Sequence, residues 1–497
     1  MKARLMYRDR DFSDSDPLPA NAEQLVHDLD LETMISSMAA GDDLIKAACR
    51  NALLNGLDTP DEIVYRQQTL TDCLAHPDVV REIYGLSVQA ARDRQKMFWF
   101  VSRGSPARMM SQSPQVIAMF MKYLKRLRSI VDTHVEEFRS EGWSTLFQIL
   151  QADLSDDYFH LIDDHLSQLK FKDGTLISAK LTFGNTGTSF VLRDPSHTRQ
   201  TFRERLHVGG RKSYSFEIAP RDEAGLDALE GLMDRGVNTA ANSLSQAADH
   251  LSAFFLMLRT ELAFYVGCIN LRDELELLGE PTCLPSAREW SPPSLTFSGL
   301  YDICLALRSK KKVVGNDANA DDRILIVVTG ANSGGKSTFL RSVGIAHLMM
   351  RSGMFVGAET FTSSTCAGVF THFVREEDSS MTSGKLDEEL ARMSVIADQV
   401  KAHSVVLFNE SFSATNVREG SEIARQVIQA LLDSDIRVVI VTHLFELAKY
   451  FYSHESVSTL FLKAGRERDA GLAYRLLPGE PLPTSYAEDV YLRIGGW

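Results

Sequence analysis

Gly330-Ala331-Asn332-Ser333-Gly334-Gly335-Lys336-Ser337 fits the spacing G-x-x-x-x-G-K-S, and these residue types in this order suit the holding of phosphate. Gly330, Gly334 and Gly335 let backbone N–H groups turn inward around anionic oxygens, and a helix starting near Lys336 adds its positive dipole end. The Lys336 ammonium can reach the terminal phosphates and the Ser337 hydroxyl can ligate Mg2+. The run Ile324-Leu325-Ile326-Val327-Val328 just before the glycines predicts a buried parallel strand. A chance Gly-rich turn would need neither strand, helix nor the Lys-Ser pair, so the segment predicts a nucleoside triphosphate site with Mg2+.

Two more strand tips carry candidate chemistry. Ser404–Phe408 ends in Asn409-Glu410. Phosphoryl transfer uses an acidic residue at such a tip to hold Mg2+ or its waters. Asn409 stands in that place and can hydrogen-bond a metal-bound water without bringing charge. Glu410 is the natural general base for the attacking water. Arg437–Thr442 ends in His443, which can hydrogen-bond a γ-phosphate. Alone, such a histidine is more often a satisfied structural residue. One strand beyond Asn409-Glu410, it reads as a sensor.

Around these groups the chain falls into a long helical part and a later α/β part. Residues 1–20 are charged and Pro/Asp/Ser-rich, which predicts a loose tail. Residues 21–284 are helical in pattern, interrupted at 170–220 by short β-prone segments with Gly and Asn turn signals. Pro281, Pro285, Pro292 and Pro293 mark a linker at 285–295. From 296 to 497 apolar strands alternate with amphipathic helices, the pattern of a parallel α/β sheet. The expected fold class is therefore mixed: an all-α domain with a small β-rich insertion, then an α/β nucleotide-binding domain.

Composition narrows the function classes. The 497 residues carry 53 basic and 66 acidic side chains, a formal net charge of -13. That excludes a general polyanion binder, and nucleic-acid contact would need a local patch. The six cysteines have no C-x-x-C spacing, which predicts reduced thiols, a cytoplasmic setting and no zinc site. The amino-terminal stretch lacks the apolar core of a signal peptide. Leu251 to Cys268 is the most apolar run, but Arg259 and Glu261 interrupt it, so it reads as a buried helix rather than a membrane span.

Taken together, Thr329 to Thr338 (TGANSGGKST), Asn316-Asp317, Phe408 to Glu410 (FNE), Thr415-Asn416 with Glu419-Gly420, and Thr442 to Leu447 (THLFEL) resemble the ATPase of the MutS family, the mismatch-repair branch of the ABC-type ATPases. The match in order and spacing runs over about Leu295 to Ile494, and the closing Thr484-Ser485-Tyr486 resembles the end of that domain. The resemblance implies a P-loop ATPase in which Gly330, Asn332, Gly334, Gly335, Lys336, Ser337 and Thr338 hold nucleotide, with Asn316 near the base. It implies Mg2+ on Ser337 and, through water, on Asn409. Lys336, Glu410 and His443 become the catalytic set. Ser383, Gly384, Thr415 and Glu419 would act across the interface of a homodimer. Departures mark a divergent member: Asn409 replaces the usual Asp, and Phe412, Ser413 and Ala414 replace a Gly-Arg-Gly stretch. Lys385 to Leu390 reads KLDEEL where the family has Ser-Thr-Phe, with Glu389 in the place of the family's Glu. Hydrolysis is still expected, because Glu410 is kept.

The helical part resembles the family's core and lever domains more weakly, through Leu25 to Leu31 and the helix around Phe254 to Leu277. No Phe-x-Glu segment lies in a suitable N-terminal domain, so mismatch reading is not expected. No domain is expected after the ATPase, which leaves a nuclease module no room at that end. The insertion holds Arg193, Arg199, Arg203, Arg205, Arg211 and Lys212. It reads equally as a clamp tip contacting duplex DNA, independent of sequence and sensitive to salt, and as a solvated basic loop. Lys122, Lys125, Arg126 and Arg128 gather on one helical face and read as an ordinary exposed surface. Lys310-Lys311-Lys312 reads as a solvated loop. The leading expectation is a DNA-associated, mismatch-repair-like ATPase whose dimer closes on ATP and moves helical levers. The alternative is an ATP-dependent protein-interaction switch. An ABC transporter subunit is disfavoured, since there is neither an L-S-G-G-Q segment nor a membrane span.

Overall fold

The structure is a computed structural model, and it describes residues 1–98, 105–169, 175–193, 215, 217–219, 221–330, 334–374, 384–454, 458–464 and 474–482. In chain order the helices are α1 (Ala22–Asp28), α2 (Leu31–Ala39), α3 (Asp43–Leu54), α4 (Pro60–Ala75), α5 (Pro77–Phe98), α6 (Pro106–His134), α7 (Glu141–Asp153) and α8 (Asp156–Gln168). The hairpin β1 (Leu176–Leu181) and β2 (Gly187–Arg193) follows, then α9 (Glu223–Leu277). After it come β3 (Ser286–Arg288), β4 (Leu295–Leu300), α10 (Ile303–Ser309), β5 (Asn316–Asn319), β6 (Leu325–Gly330), α11 (Lys336–Arg351), β7 (Thr360–Ser364) and β8 (Val369–Phe373). The chain continues through α12 (Lys385–Gln399), β9 (Val405–Asn409), α13 (Val417–Asp433), β10 (Arg437–Val441), α14 (Phe445–Ser453), β11 (Thr459–Ala464) and β12 (Leu476–Pro478). The architecture is mixed α/β.

Local chemistry sets several boundaries. Asp42 caps α3 by accepting from the N–H groups of Leu44 and Ile45, and Thr59 caps α4 through Glu62 N–H, with Pro60 in the first turn. Each cap satisfies donors that a helix start leaves open. Asp302 does the same for α10 through Leu305 N–H at 3.0 Å.

The chain divides into two compact units, at places other than the expected 284/296 boundary. One comprises residues 1–3, 81–138 and 144–259; the other comprises 4–80, 139–143 and 260–497. In the first unit Phe120 of α6 stacks on Phe255 of α9 at 5.4 Å, and β1 pairs antiparallel with β2. The described part of the expected β-rich insertion is this hairpin, and the described residues near 215–219 form no strand. Three of the four basic residues on the basic face of α6 are ion-paired. Lys125 pairs with Asp163 at 2.8 Å, Arg126 with Glu82 at 2.5 Å and Arg128 with Asp132 at 2.8 Å.

The second unit is built on a six-stranded sheet of order β12-β11-β6-β10-β9-β8, parallel except for β12. A four-stranded sheet, β3-β7-β4-β5, stands beside it in the chain. The expected linker therefore contains β3, paired with β7. On one face of the large sheet Val327, Val406, Phe408, Val438 and Ile440 pack with Met393, Ile396, Ile428, Leu431 and Leu447 of α12, α13 and α14. On the other lies α11. A Cβ at Gly344 would stand 2.6 Å from Leu407 and 2.9 Å from Leu29, so glycine is what lets the helix settle between β9 and the amino-terminal helices. Asn21 Nδ2 donates to Val369 O at 2.8 Å and Gln24 Nε2 to Thr371 O at 2.6 Å. The helices α1 to α4, expected in the helical domain, thus belong with the sheet.

The expected loose tail is also corrected. Leu5, Met6 and Phe12 are buried. The Glu261 carboxylate, fully buried on α9, accepts from Leu5 N–H at 2.6 Å and from Met6 and Phe12 N–H at 3.4 Å. Tyr265 donates to Leu5 O at 2.5 Å and Arg66 to Met6 O at 3.1 Å. Burial pushes the Glu261 carboxyl up to about 7, against the pull of those N–H donors. A polar, Pro-rich stretch is ordered here because a buried carboxylate needs its backbone donors. Among the described residues α9 is the helix long and apolar enough to cross a membrane, but 67% of its apolar window is buried inside the protein, as a core helix would be.

Candidate nucleotide site

Because β6, β10 and β9 are parallel neighbours, their carboxyl ends share one sheet edge, where open α/β sheets bind ligands. β6 delivers Gly330, whose φ of +117° lies in a region side chains rarely enter. A Cβ there would also sit 2.8 Å from Ala464 N of β11. Gly335, at φ +84°, precedes the first turn of α11, so the buried end of that helix opens onto the turn. Lys336 is buried and donates to Gly330 O at 2.9 Å. Burial lowers its pKa, while the Glu410 carboxylate favours the charged form.

Ser337 donates to Asn409 Oδ1 at 2.9 Å. The Asn409–Glu410 step is fixed by Glu410 N–H donating to Val441 O, also at 2.9 Å. A cleft of about 660 Å³ lies over this edge, lined by Gly334, Gly335, Lys336, Ser337, Thr338, Glu410 and Asn316, together with Asp302, Leu305, Lys312, Val313, Val314 and Tyr474. The pair of oxygens on Ser337 and Asn409 fits a divalent cation. Octahedral Mg2+ holds oxygens at about 2.1 Å, so adjacent ligands stand about 3 Å apart.

The sequence-predicted residues Gly334, Gly335, Lys336, Ser337, Thr338, Glu410 and Asn316 line one cleft, with Gly330 and Asn409 against its floor. Asn316 is buried and its amide is already used. It accepts from Leu476 N–H at 2.7 Å and donates to Tyr474 O at 3.5 Å, so it ties the Tyr474 segment to the cleft wall. His443 sits in the loop after β10, exposed, and is not among the cleft-lining residues. Gly384 is exposed before α12, and Thr415 donates to Glu419 at 2.9 Å near the start of α13. Asn332, Ser383, Arg199, Arg203, Arg205, Arg211 and Lys212 lie outside the described residues.

Lys312, Val313, Val314 and Tyr474 were not singled out from the sequence as site residues. Lys312, expected in a solvated loop, lines the cleft. The loop before β5 carries the first three, and Tyr474 lies two residues before β12, reached only through pairings distant in sequence. A flat aromatic and two valines beside a phosphate-type turn offer an apolar seat for a base.

Comparisons with known proteins point to one family. The model of the MutS2 N-terminal domain matches residues 58–278 and that of MutS domain V matches residues 326–490. The chain is 24% identical over 420 residues to a protein named endonuclease MutS2 from Lacticaseibacillus paracasei, covering 80% of this chain and 53% of that protein. It is 30% identical over 216 residues to an endonuclease MutS2 from Carboxydothermus hydrogenoformans, covering 43% and 28%. It is 30% identical over 186 residues to a putative endonuclease MutS2 from Bacillus subtilis, covering 37% and 23%. The chain spans at most about half the length of these relatives.

Proposed function

The chain belongs to the MutS family, as a MutS2-like member, and from that premise we propose that it binds and hydrolyses ATP with Mg2+ and couples a closing homodimer to engagement of DNA. The observation that carries the nucleotide reading is the convergence of Lys336, Ser337, Asn409 and Glu410 on one sheet edge beneath the cleft. The backbone of the Gly334–Gly335 turn and the start of α11 hold phosphate oxygens. Lys336 exchanges its bond to Gly330 O for one to a terminal phosphate. Val313, Val314 and Tyr474 seat the base. Ser337, and Asn409 through a water, would hold Mg2+, which would supply charge neutralisation for the phosphates. Glu410 takes a proton from a water that attacks the γ-phosphorus. The bond to the β-bridging oxygen breaks, and ADP and phosphate leave. His443 would reach the γ-phosphate only from outside the lined cleft, so its sensing role depends on the closed state.

The dimer, the trans-acting set Ser383, Gly384, Thr415 and Glu419, and DNA contact by Arg199, Arg203, Arg205, Arg211 and Lys212 rest on the family relationship. The relatives are named endonucleases, and the site described here supports the nucleotide reaction. The ion-paired face of α6 and the net charge of -13 favour, as a second reading, an acidic switch that grips a protein. Phosphate release with and without linear and branched duplex DNA at low salt separates the two. Stimulation that fades steeply with salt supports the DNA reading, and indifference to every DNA supports the second.

A further inference from the structure

The residues that carry Glu410 form a strained turn. Glu410 has φ +55° and Phe412 φ +62°, both left-handed at residues with side chains, a conformation kept only where neighbours enforce it. Glu410 N–H is held by Val441 O. Phe412 O lies over Gly420, where a Cβ would come within 2.2 Å of it. The remaining holds come from two buried titratable side chains that do not line the cleft. The Glu389 carboxylate of α12 accepts from Phe412 N–H at 2.5 Å. His372 of β8 stacks on the Phe412 ring at 5.2 Å and 17°, and its Nδ1 lies 2.7 Å from Ser411 Oγ.

The protons can be assigned. His372 Nε2 faces Glu389 O at 2.9 Å, and a carbonyl only accepts, so Nε2 carries the hydrogen. Burial holds His372 down at about 4, so the ring is neutral and Nδ1 accepts. The Ser411 hydroxyl has one proton, which faces both that nitrogen and His372 O at 2.6 Å. Glu389 is thus bonded to the turn twice, directly by its carboxylate at Phe412 and through His372 at Ser411.

We propose that Glu389 and His372 are positioning residues that tie α12 to the turn bearing Glu410, so that the setting of α12 determines whether Glu410 is aligned to activate water. The inference rests on Glu410 being the base. When α12 shifts, the clamp on Phe412 and Ser411 loosens, and the left-handed turn relaxes away from the cleft without loss of the phosphate contacts, which come from α11.

The test compares ATP binding and single-turnover phosphate release in Glu389→Ala, Glu389→Gln, His372→Asn and Glu410→Gln. Misalignment of a reacting group by about an ångström costs up to roughly a hundredfold in rate. Glu389→Ala should therefore lower the rate at least about tenfold, with ATP affinity within twofold of wild type. Glu389→Gln, which keeps an acceptor at the same reach, should restore most of it. His372→Asn keeps an amide facing Ser411 but is too short for Glu389 O, and should show a smaller loss of the same kind. If Glu389→Ala does not fold, His372→Asn and Glu389→Gln carry the comparison. Adding Glu389→Ala or His372→Asn to Glu410→Gln should lower the residual rate no further, because the chain of contacts ends at Glu410. Unchanged turnover in folded Glu389→Ala or His372→Asn, equal losses in affinity and rate, or losses that multiply with Glu410→Gln would overturn the inference. Normal hydrolysis by Glu410→Gln alone would remove the base assignment itself, a distinct failure.

Discussion

Asn409→Asp adds one charge where the site's geometry has two oxygens poised for a cation. Ser337 Oγ and Asn409 Oδ1 are 2.9 Å apart, so a cation bound at Ser337 lies within about 4 Å of a carboxylate at position 409. One charge against a divalent ion at that distance is worth about 2 kcal/mol at the dielectric constant of water, and about 8 kcal/mol at an effective value of 20. Asn409 is half-buried beside an open cleft, so the lower figure governs. Part of it goes to the carboxylate's attraction for Lys336 in the metal-free state. What remains is about a tenfold drop in half-saturating Mg2+. The assay is fluorescent-nucleotide binding titrated with Mg2+, in Asn409→Asp, in Ser337→Ala and in the double variant. The gain should shrink when Ser337 is also lost, because both residues address one ion. A Mg2+ midpoint within twofold of wild type would show that Asn409 faces no metal, and an undiminished gain in the double variant would show that the two sites are separate.

Other outcomes follow from the same contacts. Lys336→Ala should leave ATP binding very weak in equilibrium dialysis; binding as tight as wild type would dissociate Lys336 from the phosphates. Glu410→Gln should retain ATP but stop its turnover, seen as bound, uncleaved nucleotide after gel filtration. Gly330→Ala forces a Cβ to 2.8 Å from Ala464 N at φ +117°. It should cost about 1–3 kcal/mol of stability or more, read in denaturant melts, and a neutral result would contradict the backbone path described. The Glu261 carboxyl is raised from 4.5 to about 7, so its contribution is complete below about pH 4.5 and is lost as pH rises through about 7. Glu261→Gln has no such loss. The stability of the variant relative to wild type should therefore rise by about 3 kcal/mol between about pH 4.5 and pH 8, and a flat difference would place Glu261 in contact with water.

The strand, the two glycines and the helix start from Ile324 to Thr338 were legible because they are contiguous. An apolar parallel strand, glycines with unusual φ and a helix start lie within fifteen residues, and the neighbouring strands β9 and β10 announce themselves by the same apolar texture. Glu410 and Asn409 could be placed because parallel strands end together. Local pattern could not show that Asn316 spends its amide on Leu476, 160 residues away, or that Tyr474 reaches the cleft. Those depend on β5 and β12 being brought in by long-range pairing. The tail was misread because the polar residues at 8–16 say nothing of Glu261. The helices α1 to α4 read correctly as helices and incorrectly as a separate domain, since amphipathic periodicity shows that a face is buried but not against what.

The clamp of Glu261 on Leu5 also sets an order of events during synthesis. The two groups are 256 residues apart, and at about 5–20 residues per second the ribosome needs roughly 10 to 50 seconds to make the second after the first. Through that interval Leu5, Met6 and Phe12 have no seat, and α1 to α4 wait longer still for β8 and α11. The early segments therefore cannot complete their native contacts until the carboxyl-terminal half emerges. Their docking is a late step of maturation, and a chain stalled before residue 261 would present a sticky amino-terminal end to quality control.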